Sequence, residues 1–226
     1  MARAAKAEFT PPDPARVAAV LALLDRHYPA AQCALDFQNP WELLVATILS
    51  AQCTDERVNL VTPELFRQIP DVGAMARADE ARVQELIRST GFFRNKAKSL
   101  LGAARAIVAE HGGQVPGSLA ELTQLPGVGR KTANVVLGNA FGVPGLTVDT
   151  HMTRVNRRLG FTNQTDAVKI EFQLMEIIPP ERWTLYSHQI ILHGRQVCQA
   201  KKPRCPECFL LEHCPEGQTR VVGVNS

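Results

Sequence analysis

The sequence predicts an all-α fold, and three observations carry the prediction. Apolar residues recur at helical spacing in segment after segment. Capping signals precede those segments: Asp or Asn followed by Pro, and Ser followed three residues later by Glu. Few stretches alternate with the two-residue period of a strand.

Taken in order, Asp13-Pro14 reads as an N-cap with proline at the first helical position, and Val17, Val20, Leu21 and Leu24 follow at helical spacing. Asn39-Pro40 repeats the signal before Trp41, Leu44, Val45, Ile48 and Leu49. Asp55 opens a helix running to about Arg67, and Asp79 caps the next, with Val83, Leu86 and Ile87 inside. Asn95 to His111 forms a longer helix closed by Gly112-Gly113. Ser118-Leu119-Ala120-Glu121 is a capping box that starts a short helix. Helices at Arg130–Ala140, Thr150–Leu159, Ala167–Ile177 and Arg182–His193 complete the set. Gly142-Val143-Pro144-Gly145 reads as a domain boundary, and Met1 to Thr10 as a frayed tail.

A chain of 226 residues, 45% hydrophobic, can bury a substantial core in one large or two small domains. No apolar run approaches the roughly 18 residues of a membrane helix. The N-terminus lacks the apolar core of a secretory signal, and Glu8 interrupts any resemblance to a transit peptide. The net charge of +3 does not by itself imply nucleic acid. Its distribution is more informative. Arg182 to Pro206 carries Arg182, Arg195, Lys201, Lys202 and Arg204 and no acid. Leu125 to Gly160 sets Arg130, Lys131, Arg154, Arg157 and Arg158 against Asp149 alone. Such clustering suits a phosphate backbone, although solvated helix faces look the same in isolation.

The segment Leu125-Pro126-Gly127-Val128-Gly129-Arg130-Lys131-Thr132 joins two helices. Two glycines two apart allow a tight turn and a close approach of backbone N–H groups to an anion. The spacing differs from that of a nucleotide P-loop, which needs four residues between its glycines and a Lys directly after the second. A plain helix–turn–helix connection is the bland alternative. Lys131 lies in the first turn of the second helix and is a candidate nucleophile. A free lysine titrates near ~10.4, so burial, the helix N-terminus and Arg130 would each have to disfavour its ammonium form. Asp149, just ahead of the next helix, reads either as an N-cap or as an acid–base partner, and His151 as structural.

Cys198, Cys205, Cys208 and Cys214 follow with six, two and five residues between them. Clustered cysteines in a chain without a secretory signal point to a metal, either structural zinc or an iron–sulfur cluster. Lys201, Lys202 and Arg204 lie between the first two ligands, in a loop that metal would pin at both ends. Cys33 and Cys53 read as small hydrophobes.

The glycine turn extended to Val136, the run Val148-Asp149-Thr150-His151 and the four-cysteine pattern together closely resemble the endonuclease III family of DNA glycosylases. Ser50-Ala51-Gln52-Cys53-Thr54-Asp55 and Ile191-Leu192-His193-Gly194-Arg195 add to the resemblance, which covers about residues 14–215. It implies two lobes: a six-helix barrel with a helix–hairpin–helix at 33–143, and an iron–sulfur domain combining 1–32 with 144–226. It implies a [4Fe–4S] cluster on the four cysteines. The hairpin residues Gly127, Val128, Gly129 and Arg130 would contact the DNA backbone. Gln52 and Phe92 would fill the gap left by a flipped base; close relatives often carry leucine where Phe92 stands. Asn95, Lys96 and Lys98 beyond it read as ordinary helix surface.

The implied activity is base-excision repair of double-stranded DNA by a monomeric, cytoplasmic, nucleoid-associated enzyme. Lys131 would displace an oxidised pyrimidine of the thymine glycol type, form a Schiff base and nick the strand by β-elimination, with Asp149 assisting. A pyrimidine-dimer glycosylase shares the lysine. A non-catalytic helix–hairpin–helix module is the non-enzymatic alternative, and the pair Lys131 and Asp149 argues against it.

Overall fold

The computed structural model describes residues 9–224; of the tail expected at residues 1–10, residues 1–8 lie outside them. No strand occurs among the described residues. The helices are α1 (Pro14–His27), α2 (Pro40–Leu49), α3 (Asp55–Gln68), α4 (Val72–Arg77), α5 (Glu80–Leu86), α6 (Phe93–Glu110), α7 (Leu119–Leu122), α8 (Arg130–Val136), α9 (Thr150–Arg158), α10 (Ala167–Met175), α11 (Trp183–Gln196) and α12 (Pro215–Val224).

Most starts follow from the local chemistry read above. Side-chain oxygens of Asp13, Asn39, Thr54, Asp71, Asp79, Ser118, Asp149 and Asp166 each accept an N–H in the first turn of the helix they precede. Such caps satisfy donors that have no partner within the helix. Two helices carry no clear apolar stripe in the sequence. α4 is only 6 residues long and contains Gly73. α12 contains Gly217 and Gly223 and shows no clean apolar stripe. The helix expected to Ala140 stays α-helical to Val136 and widens to a π-helical turn over Leu137–Phe141.

The chain divides into two compact units, one combining the chain up to Gln32 with the chain from Leu146 on, the other being Cys33–Gly145. Gly145 packs closely on α8 of the second unit: a Cβ there would approach the Asn134 carbonyl oxygen to 2.7 Å.

In the unit Cys33–Gly145, α2 is buried almost all round: Trp41 and every residue from Leu43 to Leu49 are buried. A helix apolar on all faces must lie inside its unit. It packs against α3, α6 and α8. Each fully buried leucine, such as Leu44, contributes roughly 1.5–3 kcal/mol of transfer free energy.

In the other unit, Val17, Val20 and Leu24 of α1 join a core with Phe161, Leu174, Tyr186 and Ile190. The fully buried Tyr186 donates its hydroxyl to Asn156 Oδ1. Arg182 and Asp25 form a bidentate pair that ties α1 to the start of α11, and Gln189 Nε2 donates to the same carboxylate at 2.9 Å.

Candidate active site and nucleic-acid interface

The glycine turn is held by its own sequence. Val128 N–H donates to the Leu125 carbonyl at 3.0 Å, and the Val128 side chain is buried. Val128 therefore anchors the turn in the core and offers solvent little. Gly127 has φ +77°, and a Cβ on it would meet Ser99 Cβ at 2.4 Å. Glycine is required there twice over, by conformation and by space. Gly129, which precedes α8, is different: a Cβ on it would meet nothing within 4 Å. Both glycines are exposed, and neither N–H has an acceptor among the described residues. The turn thus presents open donors beside Lys131, the second residue of α8. Lys131 is exposed, so its own fold does not supply the burial that its sequence position invited.

Asp149 is the N-cap of α9, and its chemistry does not stop there. Oδ1 accepts the Met152 N–H at 2.8 Å, and Oδ2 lies 3.0 Å from His151 Nδ1. The side chain is 15% exposed, so the carboxylate is held rather than floppy. Gly194 of α11 makes room for that holder: a Cβ there would come within 3.0 Å of His151 Cβ. The glycine in Ile191-Leu192-His193-Gly194-Arg195 thereby acquires a physical reason.

Two residues other than glycine have positive φ in the described chain: Gln52 at 54° and Phe92 at 47°. Each such residue costs about 1–3 kcal/mol and persists only where its surroundings impose it. Both are exposed, Phe92 by 65%. An aromatic ring left largely in water on a strained turn is unusual in a core-forming sequence.

Lys96 is not surface. It is 5% exposed, and Nζ donates to the carbonyls of Leu49 at 2.8 Å and Thr90 at 2.7 Å. A signal existed in the sequence: Lys96 stands on the same helical stripe as Leu100, Ala104 and Ile107. Asn95 and Lys98 are exposed as expected.

The four clustered cysteines line one cavity, walled in part by Val155, Leu159 and Leu210. Nitrogen atoms face three of the sulfurs. Arg158 Nη1 lies 3.3 Å from Cys198 Sγ, Gly217 N–H 3.3 Å from Cys214 Sγ, and His193 Nε2 3.6 Å from Cys208 Sγ. Burial pushes the thiols of Cys205, Cys208 and Cys214 up, Cys208 to about 11, and charge on neighbouring sulfurs adds to this. Four thiolates there need a cationic centre to be stable. Burial also holds His193 down at about 4, so its ring is neutral at pH 7. The donor set, the N–H groups around it and the apolar walls fit a thiolate-bound metal centre. Among the described residues, no three His, Cys, Asp or Glu side chains form a single-ion site.

The loop after Cys198 is fastened by protein as well. Arg158 donates to the carbonyls of Gln199 at 2.8 Å and Ala200 at 2.9 Å. Arg204 ties the loop to the end of α11, donating to the Gln196 carbonyl at 2.5 Å, and pairs with Glu207 at 3.5 Å. Lys201 and Lys202 are exposed. Arg158 was not singled out from sequence; nothing in Asn156-Arg157-Arg158-Leu159 separates it from a solvated arginine.

A helical chain with an open glycine hairpin followed by an exposed lysine defines a helix–hairpin–helix protein. Residues 45–180 match the family described as HhH-GPD superfamily base excision DNA repair protein. The chain is 56% identical over 204 residues to the Endonuclease III of Synechocystis sp., which covers 90% of this chain and 93% of that one. It is 40% identical over 195 residues to the Endonuclease III of Escherichia coli strain K12, covering 86% and 92% of the two chains. A solved non-covalent Endonuclease III–DNA complex superposes with a TM-score of 0.88 at 42% identity, over 93% of this chain and 99% of that one. A trapped Endonuclease III–DNA covalent intermediate matches equally well. The chain belongs to the endonuclease III family, the base-excision DNA-repair enzymes of the HhH-GPD superfamily.

Proposed function

We propose that this chain is a bifunctional DNA N-glycosylase and abasic-site lyase that removes oxidised pyrimidines of the thymine glycol type from double-stranded DNA. The observation that carries the reading is the exposed amine of Lys131 beside a hairpin whose Gly127 and Gly129 N–H groups are open to an anion. A phosphate seated on those N–H groups and near Arg130 would bring a neighbouring sugar to Lys131.

Gln52 and Phe92 occupy the space vacated when the damaged nucleotide leaves the stack. The Lys131 amine forms a bond to C1′ as the C1′–base bond breaks, and the base departs with its electron pair. The sugar ring opens to a Schiff base. Loss of a C2′ proton then expels the 3′-phosphate, and water releases Lys131. Lys131 is exposed on the protein surface, so the enclosure its chemistry needs would come from the bound DNA. Asp149, held by Met152 and His151, stabilises positive charge on the sugar or moves a proton.

Cys198, Cys205, Cys208 and Cys214 would hold a [4Fe–4S] cluster. Four thiols lining one cavity would offer four irons one thiolate each, the arrangement the family resemblance implies. When bound, the cluster cross-links the loop that carries Lys201 and Lys202; it takes no part in breaking bonds to the base. The bacterial relatives support action in the cytoplasm, at the nucleoid.

Borohydride trapping tests the reading. Incubation with thymine-glycol or abasic duplex and reductant is expected to yield a covalent adduct, absent from Lys131→Ala. An adduct formed by that variant at the normal rate removes Lys131 as nucleophile. A panel of oxidised, ring-opened and dimeric pyrimidines assigns the base, and preference for the dimer would overturn the thymine glycol class.

A further inference from the structure

Lys96 joins the two strained turns. Its ammonium sits on the Leu49 carbonyl, at the end of α2 and three residues before Gln52, and on the Thr90 carbonyl, two residues before Phe92. Its own backbone N–H donates to the Phe92 carbonyl at 3.1 Å, closing the first turn of α6. One residue therefore holds the Phe92 turn from two sides and reaches across to the Gln52 turn. The Leu49 carbonyl closes α2 and the Thr90 carbonyl closes the single 3-10 turn Arg88–Thr90, positions where oxygens lack helical partners. A buried ammonium is costly, and burial indeed lowers the affinity of Lys96 for its proton. An apolar side chain of similar shape would avoid burying the charge but would leave the Leu49 and Thr90 carbonyls without this donor. It would also lose a single clasp over two turns that contain the only non-glycine positive-φ residues of the described chain.

Resting on the functional reading above, we propose that Lys96 is a positioning residue: it locks the Gln52 and Phe92 turns into one rigid wedge, so that both enter the duplex together when a base is displaced. Independent turns would have to order separately on DNA, and the wedge would act on only one side of the vacated space. Lys96 does not touch substrate in this role.

Two measurements separate the clasp from its use. Amide hydrogen exchange on the free protein reads the clasp without DNA. Lys96→Met is expected to speed exchange at both 50–53 and 90–92, and a change at one turn alone or at neither overturns the clasp. Activity then reads its purpose. Excision from a thymine-glycol duplex is expected to fall about a hundredfold in Lys96→Met. β-Elimination on single-stranded abasic DNA, where no base is stacked in a duplex, should continue near the wild-type rate. Lys96→Gln, whose amide still donates, should recover part of the duplex rate. Combining Lys96→Met with Phe92→Ala should cost little more than either change alone. If both activities fall in parallel in both Lys96 variants, Lys96 is merely structural and the proposal fails. If the wild-type chain neither excises nor nicks, the functional reading fails, while the exchange result still decides the clasp.

Discussion

Gly194 and His151 lie so close that one methyl group would separate them: a Cβ on Gly194 would stand 3.0 Å from His151 Cβ and 3.1 Å from its Cδ2. His151 in turn holds Asp149 Oδ2 at 3.0 Å. A change in α11 is thereby transmitted to a carboxylate at the start of α9. Gly194→Ala should cost about 1–3 kcal/mol of stability through overpacking. It should also slow excision about tenfold by moving His151, an effect of about 1.4 kcal/mol on the barrier. Urea midpoints and single-turnover rates check the two effects. His151→Ala should reproduce the rate loss without the packing loss. An unchanged rate in both variants would remove His151 from the support of Asp149.

The two hairpin glycines should respond oppositely to the same substitution. Gly127→Ala meets both a positive φ and the Ser99 side chain, so it should destabilise the protein by more than about 2 kcal/mol. Gly129→Ala meets open space and should cost about 1 kcal/mol or less. The added methyl would instead obstruct a phosphate, weakening binding to lesion duplex by about tenfold, or roughly 1.4 kcal/mol. Denaturation and fluorescence-anisotropy titration of the two variants test the contrast. Equal stability losses would mean that Gly129 serves the fold and not the ligand.

Much of this was legible in the sequence because caps and apolar periodicity are local. Asp13-Pro14 and Asn39-Pro40 start α1 and α2 where the pattern places them. α4 and α12 were not legible: one is too short to show a period, and the other has glycines where a stripe would stand. Lys131, Asp149 and the four cysteines are visible as motif positions, yet the exposure of Lys131 depends on packing that no local pattern encodes. Lys96 shows the limit most directly. Its place on the stripe of Leu100 and Ala104 is readable, but its partners, Leu49 and Thr90, are set by how α2 and the 88–90 turn meet α6.

Acid should loosen α1 through one ion pair. The Arg182 guanidinium beside Asp25 holds its carboxyl below the ordinary carboxylate range. A depressed folded-state pKa contributes stability that is full above the unfolded value of about 3.9 and is lost as pH falls through the lower folded value. The Asp25 side chain is 44% exposed, so solvent screening limits the pair to about 1 kcal/mol or less. Asp25→Asn should therefore lower the urea midpoint at pH 7, and the gap to the wild type should shrink as pH falls below about 3.9. A gap that stays constant with pH would assign the loss to packing or to Gln189, which donates to the same carboxylate.

The loop after Cys198 separates touching phosphate from holding the toucher. Lys201 and Lys202 are exposed, whereas Arg158 spends donors on the loop's own carbonyls and Arg204 on the Gln196 carbonyl at the end of α11. Replacing Lys201 and Lys202 with Gln should flatten the plot of log affinity against log salt by roughly 1.8, the counterions released by two phosphate contacts. Arg204→Gln should change that slope much less, because its charge already faces Glu207 at 3.5 Å. Arg158→Met removes no phosphate contact but frees Gln199 and Ala200 and strips an N–H from Cys198 Sγ. Its affinity should fall at every salt concentration with the slope retained, and the thiolate-to-iron absorption expected near ~400 nm should bleach faster in air. Salt titrations and absorbance decay measure these separately. A slope untouched by the double lysine change would mean that the loop does not meet phosphate, whatever becomes of the affinity.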